Sequence, residues 1–303
     1  MNPEPCAVVN GVPILDDFAE AFPMSGCRAL VTADTAAWAE TAVRHATGYG
    51  TSVIGCDAEA GFERRWQEDE TPDGRPGASA LFFAFNRAAL AKAVANRIGQ
   101  GVMTCPTTAV FDGLPAAEKR IKLGDTLRFF GDGWQMSKRL DGVRHWRVPT
   151  MDGEFLCAGE LGAVTGVAGG NLLIFGRDRP AALAAAVASA AAMRAVPDVL
   201  LPFPGGVVRS GSKVGGRRYR KLRATTHEAY CPTLRGVVDS ALPAEAHCAY
   251  EIVVDGLSLD AVVAATRRGV LAACLPGIVA ITSGNYGGHL GKHHIRLREV
   301  LVS

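Results

Sequence analysis

Glu251 is the residue whose place in the sequence most clearly suggests acid–base chemistry. It lies within the apolar run Ala249-Tyr-Glu-Ile-Val-Val254, which is typical of a β-strand. Alternation along a strand puts its side chain on the same face as Ala249 and Val253. If that face is covered, desolvation raises the carboxyl pKa towards neutrality, where the group can accept and return a proton. The alternative is an edge strand on which Glu251 faces water or pairs with an arginine.

A second feature with chemical meaning is the run Lys213–Arg223, KVGGRRYRKLR, which we call the basic segment. A solvated loop is one interpretation of such a run. The other is a docking site for an anionic tail that carries carboxylates or phosphates, or for a protein partner. Arginine suits forked carboxylate recognition better than lysine does.

Glycine-rich clusters are the third feature. They cover residues 48–50, 73–77, 166–170, 204–206 and 284–291. None has the spacing of a dinucleotide-binding fingerprint. The run 206–213 resembles a phosphate loop, but its lysine comes one position late and Val214 stands where Mg²⁺ binding requires Ser or Thr. The clusters therefore predict tight turns, or backbone that closely approaches a flat or anionic ligand.

Three histidines, His289, His293 and His294, invite a metal hypothesis. Neighbouring side chains of a strand point to opposite faces, so His293 and His294 do not easily bind one ion. No carboxylate lies between them, and the next one is Glu299. Surface or interface histidines are the expectation, and no metal site is predicted.

Eight cysteines are scattered along the chain, and none has the spacing of zinc or iron–sulfur ligands. Lone cysteines are mostly small core residues. Cys105 and Cys231 each precede a proline, and either would act as a nucleophile only beside a positioned base. The Gly-x-Ser-x-Gly elbow of α/β-hydrolases is absent.

The composition excludes several classes of protein. A formal net charge of +2 with 7% aromatic residues disfavours nucleic acid as a partner, and 48% apolar residues exclude predominant disorder. The longest apolar stretch, Ala181–Met193, is shorter than the ~20 residues of a membrane helix. The first residues lack the pattern of an export signal. We expect a cytoplasmic protein with reduced thiols and no membrane segment.

Four apolar strands, each followed by an amphipathic helix, must position these residues. They are strand 28–32 with helix 34–47, strand 79–85 with a helix closed by Gly99, strand 171–175 with a helix to 195, and strand 248–254 with a helix to 274. The expected N-caps are Asp34, Asn86 and Ser258, and Pro180 is expected at the first position of the helix that ends near 195. Short extended runs at 127–130, 145–148 and 294–298 add further strands.

Two of these strand–helix pairs precede residue 150 and two follow it, and Cys-Pro-Thr occurs at 105–107 and again at 231–233. This pattern favours two similar lobes, 1–149 and 150–303, with a boundary near Pro149. Helices mixed with short strands predict layers of sheet and helix, with sheets that are antiparallel in large part.

Seven strings of the sequence carry a family resemblance. They are ATGYGTSVI (46–54), ETPDGRPG (70–77), FFGDG (129–133), VTGVAGGN (164–171), PFPGG (202–206), AYCPT (229–233) and SGNYGG (283–288). In this order, from about Asn10 to the C terminus, the chain resembles formylmethanofuran:tetrahydromethanopterin formyltransferases.

The resemblance implies an α+β fold of two ferredoxin-like lobes, mainly antiparallel sheets flanked by helices. It also implies a homotetramer whose active sites lie at subunit contacts. In the implied reaction, a formyl group moves between the amine of a methanofuran-type carrier and a ring nitrogen of tetrahydromethanopterin. Both carriers are substrates, and the resemblance implies no tightly bound cofactor and no metal.

Individual residues gain roles from the resemblance. Glu251 matches the proposed acid/base of the family in its Tyr-Glu-Ile-Val string. The implied substrate-binding residues are Asn171, Gly169, Gly170, Ser212, Lys213, Tyr230, Asn285 and Arg75. Among these, Asn171, Asn285 or backbone amides of the glycine-rich loops would stabilise an oxyanion.

The chain is less acidic and richer in Arg and Ala than archaeal members, as is typical of a bacterial methylotroph version that works in formaldehyde oxidation. There the transferase joins a formate-releasing hydrolase, so hydrolase subunits are expected partners. The basic segment would then bind a poly-glutamate tail of the carrier or those subunits. The alternative function is a non-catalytic scaffold within the hydrolase complex.

Overall fold

The computed structural model describes residues 4–140 and 142–302 of the 303-residue chain. The expectation about an export signal partly concerns residues 1–3, which lie outside the described residues. The strands are β1 (Pro5–Val9), β2 (Val12–Leu15), β3 (Phe18–Thr32), β4 (Glu59–Trp66), β5 (Gly77–Ala84), β6 (Ala109–Asp112), β7 (Lys119–Lys122), β8 (Met136–Leu140), β9 (Val143–Thr150), β10 (Gly153–Ala158), β11 (Glu160–Gly176), β12 (Val199–Leu200), β13 (Lys213–Val214), β14 (Ala224–Thr225), β15 (Cys248–Gly256), β16 (Ile278–Thr282) and β17 (His293–Arg296). The helices are α1 (Ala36–Thr47), α2 (Arg87–Gly101), α3 (Gly124–Leu127), α4 (Arg179–Arg194), α5 (Leu259–Ala273) and α6 (Leu297–Val302).

The backbone divides into two compact units. Residues 4–23 and 167–302 form one, which we call the Glu251 unit, and Met24–Gly166 form the other, the Arg75 unit. Helices α1 and α2 belong to the Arg75 unit, with β5 and the part of β3 from Met24 on. Helices α4 and α5 belong to the Glu251 unit, with β15 and the part of β11 from Val167 on. The Glu251 unit consists of two stretches of sequence on either side of the Arg75 unit, whereas the lobes 1–149 and 150–303 follow one another. The lobe boundary near Pro149 stays a prediction.

The Arg75 unit is built around β5, whose eight residues are all buried. β5 pairs antiparallel with β3 and β4, and β6 pairs antiparallel with β3. Leu90, Val94 and Ile98 of α2 recur every four residues, as predicted, and all three are buried with Phe82 of β5 in one apolar core. The helical spacing of apolar side chains thus determines which face of α2 packs inward.

The Glu251 unit places β15 between other strands. β11 pairs antiparallel with β15 and with β16, while β12 pairs with the end of β15. Ile252 and Val254 of β15 belong to the apolar core shared with α4 and α5. Because strand side chains alternate, Glu251 lies on the opposite face of the sheet, towards Leu173 and Phe175 of the smaller core cluster.

Two of the three predicted N-caps are confirmed, since Asn86 and Ser258 each accept a hydrogen bond from the backbone N–H three residues later. α4 begins at Arg179, one residue before Pro180, and Asp178 is its cap. For α1 the prediction was wrong, because Thr35 is the cap, while the Asp34 carboxylate lies 3.1 Å from Arg75 Nη1.

The predicted end of α2 at Gly99 is also wrong, because the helix continues to Gly101. A Cβ on Gly99 would lie 3.0 Å from the Leu127 side chain, and one on Gly101 would lie 2.9 Å from the backbone of Ala46. These glycines therefore serve close packing inside the helix rather than its termination.

Two of the three short extended runs are corrected by the structure. Residues 127–130 are helical: α3 ends at Leu127 and a 3₁₀ turn follows over Arg128–Gly131. The run 294–298 is a strand only to Arg296, because Leu297 and Val300 are buried three residues apart and start α6. The run 145–148 lies in β9 as predicted.

Most strand pairs within residues 4–140 and 142–302 are antiparallel, whereas β6 with β10 and β2 with β16 are parallel. With helices packed on the strands, this is a mixed fold with mainly antiparallel sheets, and the predicted fold class is confirmed. Within residues 4–140 and 142–302, no helix is both long and apolar enough to span a membrane.

Candidate active site

Glu251 lies in a covered position at the middle of β15. It stands opposite Leu173 of β11, and on its other side its backbone exchanges two hydrogen bonds with Val208, of 2.7 and 3.1 Å. Only 3% of the residue is exposed. The alternative of an edge strand with Glu251 in water is therefore wrong, because backbone partners flank the residue on both sides.

The two carboxylate oxygens of Glu251 have different surroundings. Oε1 accepts a hydrogen bond of 2.6 Å from Ser212 Oγ and one of 3.1 Å from Asn171 Nδ2. Oε2 is buried and has no hydrogen-bond partner among the described residues. When the group is neutral, Oε2 is therefore the oxygen free to carry its proton.

Burial dominates the electrostatics of this carboxyl. Desolvation raises the pKa of Glu251 above its ordinary value, while the hydrogen bonds from Ser212 and Asn171 act in the opposite direction. The raised pKa brings the neutral and ionised forms closer in free energy near neutral pH. A group in that condition can both accept and return a proton.

Asn171 is held between Glu251 and the glycine-rich loop after β16. Its Oδ1 accepts the backbone N–H of Gly284 over 2.8 Å, and its backbone carbonyl accepts the hydroxyl of Ser283 over 3.0 Å. Since Oδ1 is engaged by an N–H, Nδ2 is the end that points to Glu251. The network therefore fixes the orientation of the amide.

Gly169 and Gly170 form an irregularity in β11 immediately before Asn171. Gly169 has φ +83°, and a Cβ there would lie 2.6 Å from the ring of Phe22. Its N–H donates to Asp255 Oδ1 over 2.9 Å. A Cβ on Gly170 would lie 2.9 Å from Val262. In this structure both glycines shape the strand that carries Asn171.

Asn285 has its amide turned to other partners. Its Nδ2 donates to Asp17 Oδ1 over 2.6 Å and to the carbonyl of Phe18 over 3.3 Å, and its Oδ1 accepts the N–H of Gly287. Burial raises the pKa of Asp17, which adjoins this loop. The contacts of Asn285 thus organise the glycine-rich loop after β16. Its role in binding substrate stays a prediction.

A cavity of about 40 Å³ lies beside Glu251. Its wall includes Glu251, Leu173, His227, Tyr230 and Cys231. Burial raises the pKa of Tyr230 to about 12, so its hydroxyl remains neutral. Burial also lowers the pKa of His227, which favours the neutral imidazole. The cavity can therefore receive a small polar group among mainly neutral hydrogen-bonding side chains.

Lys213 is paired with Glu228, since its Nζ lies 2.6 Å from both carboxylate oxygens. The lysine charge thus meets a protein carboxylate in this state. The residue begins a small hairpin of β13 and β14, and the basic segment forms its loop. Its remaining cations, all exposed, are Arg217, Arg218, Arg220, Lys221 and Arg223. None of them forms an ion pair within the described part of the chain.

Arg75 belongs to the Arg75 unit rather than to the Glu251 unit. Its guanidinium binds Asp73 at 2.9 Å, Asp34 at 3.1 Å, the carbonyl of Thr107 at 2.6 Å and the hydroxyl of Thr32 at 3.2 Å. These contacts tie three loops together. The structure does not place Arg75 with Glu251, and its binding role stays a prediction.

The remaining candidates have structural contacts. His293 and His294 pair with β3 through β17, and the His294 ring stacks on Phe18 at 4.9 Å. Cys231 lies on the cavity wall, where its thiol donates to the His227 carbonyl over 3.5 Å. Within residues 4–140 and 142–302, no three His, Cys, Asp or Glu side chains are grouped to hold a metal ion.

Two residues of this site, His227 and Tyr286, were not singled out from the sequence. Tyr286 lies inside the SGNYGG string, but its hydroxyl meets Ser212, 74 residues earlier in the chain. His227 has no spacing pattern around it, and only the fold brings it to the cavity. The string around Tyr286 was the only available signal for either residue.

Comparisons with known proteins agree with the resemblance read from the sequence. A sequence profile of formylmethanofuran-tetrahydromethanopterin formyltransferase matches residues 7–150, and a profile of the proximal lobe of that enzyme matches residues 153–300. The formylmethanofuran–tetrahydromethanopterin formyltransferase of Methylococcus capsulatus is 51% identical over 299 residues, covering 97% of this chain and all of that protein. A component of the formyltransferase/hydrolase complex of Methylorubrum extorquens is 49% identical, covering 97% of each.

Solved structures give the same result. The chain superposes on the formyltransferase of Methanosarcina barkeri with a TM-score of 0.92 at 45% identity, covering 97% of this chain and all of that one. It superposes on a chain of the formyltransferase/hydrolase complex of Methylorubrum extorquens, solved with methylofuran, with a TM-score of 0.94 at 48% identity, covering 97% and 98%. Two profiles that together span nearly the whole sequence, with relatives near half identity, establish the family. The chain belongs to the formylmethanofuran–tetrahydromethanopterin formyltransferases.

Proposed function

We propose that this chain transfers a formyl group between tetrahydromethanopterin and a methanofuran-type amine carrier, in one-carbon metabolism that oxidises formaldehyde. The names of its relatives support this reaction. The observation that carries the chemical part is Glu251, which is buried, has a raised pKa and keeps Oε2 without a partner beside a cavity.

The proposed reaction is direct attack within a ternary complex. The lone pair of the acceptor nitrogen forms a bond to the formyl carbon, and the carbonyl electrons move onto oxygen to give a tetrahedral oxyanion. Glu251 takes the proton from the attacking nitrogen and returns one to the leaving nitrogen. The oxyanion then collapses, and the bond from carbon to the leaving nitrogen breaks. No covalent acyl-enzyme is formed, and holding both carriers together supplies much of the rate.

The substrate-binding residues of this proposal are those named from the sequence: Asn171, Gly169, Gly170, Ser212, Lys213, Tyr230, Asn285 and Arg75. Contacts in the described structure support Ser212 and Asn171 as partners of Glu251 and Tyr230 as part of the cavity wall. For the oxyanion, Asn171, Asn285 and backbone amides of the glycine-rich loops remain the proposed donors.

The test is formyl transfer by the purified chain supplied with both carriers, followed by the absorbance of formyl-tetrahydromethanopterin. We expect Glu251→Gln to lower kcat by roughly 10²–10⁴-fold, since this is the usual contribution of a general acid–base group. Glu299→Gln changes an exposed glutamate on α6 and serves as the matched control. Full activity of Glu251→Gln with unchanged pH dependence would refute the acid–base role.

We further propose that the chain works in the cytoplasm as a homotetramer and assembles with hydrolase subunits. The name of the Methylorubrum relative, a component of a formyltransferase/hydrolase complex, supports such partners. The alternative kept from the sequence is a non-catalytic scaffold of the complex. The purified chain distinguishes the two, because a scaffold leaves both carriers unchanged in the assay above.

A further inference from the structure

The glycine-rich loop of residues 283–291 is anchored by acidic side chains at the start of β3. Glu20, only 3% exposed, accepts the N–H of Tyr286 over 2.7 Å at Oε2 and the N–H of Leu290 over 3.4 Å at Oε1. Asp17 accepts the amide of Asn285. Charge-assisted hydrogen bonds of this kind are stronger than neutral ones. The backbone of Tyr286 is therefore fixed relative to β3.

The hydroxyl of Tyr286 joins this loop to the segment that carries Ser212. It donates to the carbonyl of Ser212 over 2.8 Å and accepts the N–H of Val214 over 3.1 Å. Burial raises the pKa of Tyr286, so the hydroxyl keeps its proton and remains a donor. The phenolic oxygen of Tyr286 thus binds the backbone on both sides of Lys213.

The Tyr286 contact restrains Ser212 from its C-terminal side. On the N-terminal side, Gly211 has φ +73° and packs closely against His227, since a Cβ there would lie 2.6 Å from the His227 side chain. The bond from Ser212 Oγ to Glu251 Oε1 is 2.6 Å long and requires a precise direction of the hydroxyl. The tyrosine, by binding the Ser212 carbonyl and the Val214 N–H, adds to the restraint on that direction.

We propose that Tyr286 is a positioning residue for the proton transfer, which fixes Ser212 so that the serine hydroxyl keeps its hydrogen bond to Glu251. The proposal rests on the proposed function, since it concerns the same carboxyl. Tyr286 acts on Glu251 through Ser212, and Glu20 acts through Tyr286.

Losing the Ser212 hydrogen bond should change the pKa of Glu251 in one direction. The Ser212 hydrogen bond lowers the pKa of Glu251 against the effect of burial, so its loss raises that pKa further. Two groups near Glu251 are the phenols of Tyr230 and Tyr286, which it influences. The other titratable or charged groups of the cavity wall are Arg209, His227, Cys231 and Tyr250. Replacing Tyr286 by Phe changes the charge of none of these groups at neutral pH.

The experiment compares Tyr286→Phe, Ser212→Ala and the double variant. We expect each single variant to lower kcat about tenfold, as the loss of one oriented hydrogen bond of roughly 1.4 kcal/mol predicts, with little change in KM. Both should move the pH profile of kcat in the alkaline direction. The double variant should be no worse than Ser212→Ala, because two residues that act through one bond are not additive.

Tyr49→Phe is the matched control, since it removes a phenolic oxygen from an exposed tyrosine whose hydroxyl lies 3.3 Å from the Gly55 carbonyl. It should leave kcat and the pH profile unchanged. Additive effects in the double variant, or a loss confined to KM, would overturn the proposal. If Tyr286→Phe proves too unstable to assay, Glu20→Gln is used instead, with a smaller shift expected in the same direction.

A readout without substrates separates this proposal from the proposed function. The carbonyl stretch of a protonated Glu251 is followed by infrared difference spectroscopy against Glu251→Gln while the pH is varied. A titration displaced to higher pH in Tyr286→Phe supports positioning even in an inactive chain. An unchanged titration contradicts it even if transfer is active.

Discussion

Asn171 donates from Nδ2 to Oε1 of Glu251 over 3.1 Å, while its own Oδ1 accepts the N–H of Gly284 over 2.8 Å. The glycine-rich loop therefore determines which end of the amide faces the carboxyl. Since the amide carries no net charge, it stabilises the ionised form of Glu251 without suppressing the neutral form. Asn171 thus helps a buried carboxyl to exist in both protonation states.

Asn171→Asp tests this relationship with almost no change in shape. The new carboxylate can still accept the Gly284 N–H, but it replaces a donor to Glu251 by a like charge. We expect the pKa of Glu251 to rise and kcat/KM at neutral pH to fall more than tenfold. The pH profile of kcat/KM measures both effects. The like charges should also lower the unfolding temperature of Asn171→Asp. The double variant Asn171→Asp/Glu251→Gln should recover that unfolding temperature, because the Gln amide can donate to the new carboxylate, but it should not recover activity.

The pKa of Glu251 also predicts how stability depends on pH. Because its pKa is higher in the folded than in the unfolded chain, the folded state binds more protons between the two values. The wild type therefore loses stability as the pH rises above the ordinary glutamate pKa, and the loss is complete above the folded pKa.

Glu251→Gln removes this loss. The difference in unfolding temperature between the variant and the wild type should grow in favour of the variant as the pH rises above the ordinary glutamate pKa, and should stop growing above the folded pKa. Thermal unfolding of both proteins at increasing pH measures it, in the range where Tyr230 and Tyr286 stay neutral, because Glu251 raises the pKa of both phenols. A constant difference would show that burial does not raise the pKa of this carboxyl.

Gly169 should tolerate substitution poorly. Gly169→Ala adds a Cβ at φ +83° and places it 2.6 Å from the ring of Phe22, so both backbone strain and steric overlap destabilise the fold. Gly133→Ala is the matched control, because it has φ +96° and no atom within 4 Å of the added Cβ. We expect a loss of about 1 kcal/mol for Gly133→Ala and about 3 kcal/mol for Gly169→Ala in denaturant unfolding. Equal losses would mean that Phe22 moves aside.

For the basic segment we predict an effect on binding rather than on catalysis. Reversing the charges of Arg217, Arg218 and Arg220 to Glu should leave the unfolding temperature unchanged, because these exposed side chains form no ion pairs within the described residues. If the segment binds an anionic carrier tail, the KM for the carrier rises with little change in kcat. If it binds hydrolase subunits, the complex dissociates on gel filtration. Replacing the same residues by Lys keeps the charge and is the control, for which we expect a smaller loss than for the Glu variant.

Much of the local structure was predictable from short sequence patterns. The caps Asn86 and Ser258 are confirmed because a side-chain acceptor before a helix needs only neighbours three residues away. The Asp34 prediction was one residue off, since the next residue, Thr35, accepts the Trp38 N–H, and Asp34 pairs with Arg75 instead. Residues 127–130 look apolar enough for a strand, but they are helical, with Leu127 buried and Phe129 and Phe130 exposed.

For the site, the sequence by itself determined that Glu251 lies within a strand and that the chain resembles its family, which the comparisons confirm. Only the tertiary structure decided that this strand is flanked on both sides, that Ser212 and Asn171 donate to the carboxyl, and that Tyr286 binds Ser212. The Glu20–Tyr286 contact joins residues 266 positions apart. Periodicity and capping depend on neighbouring residues, whereas the pKa of a carboxyl depends on which distant groups exclude water from it and donate hydrogen bonds to it.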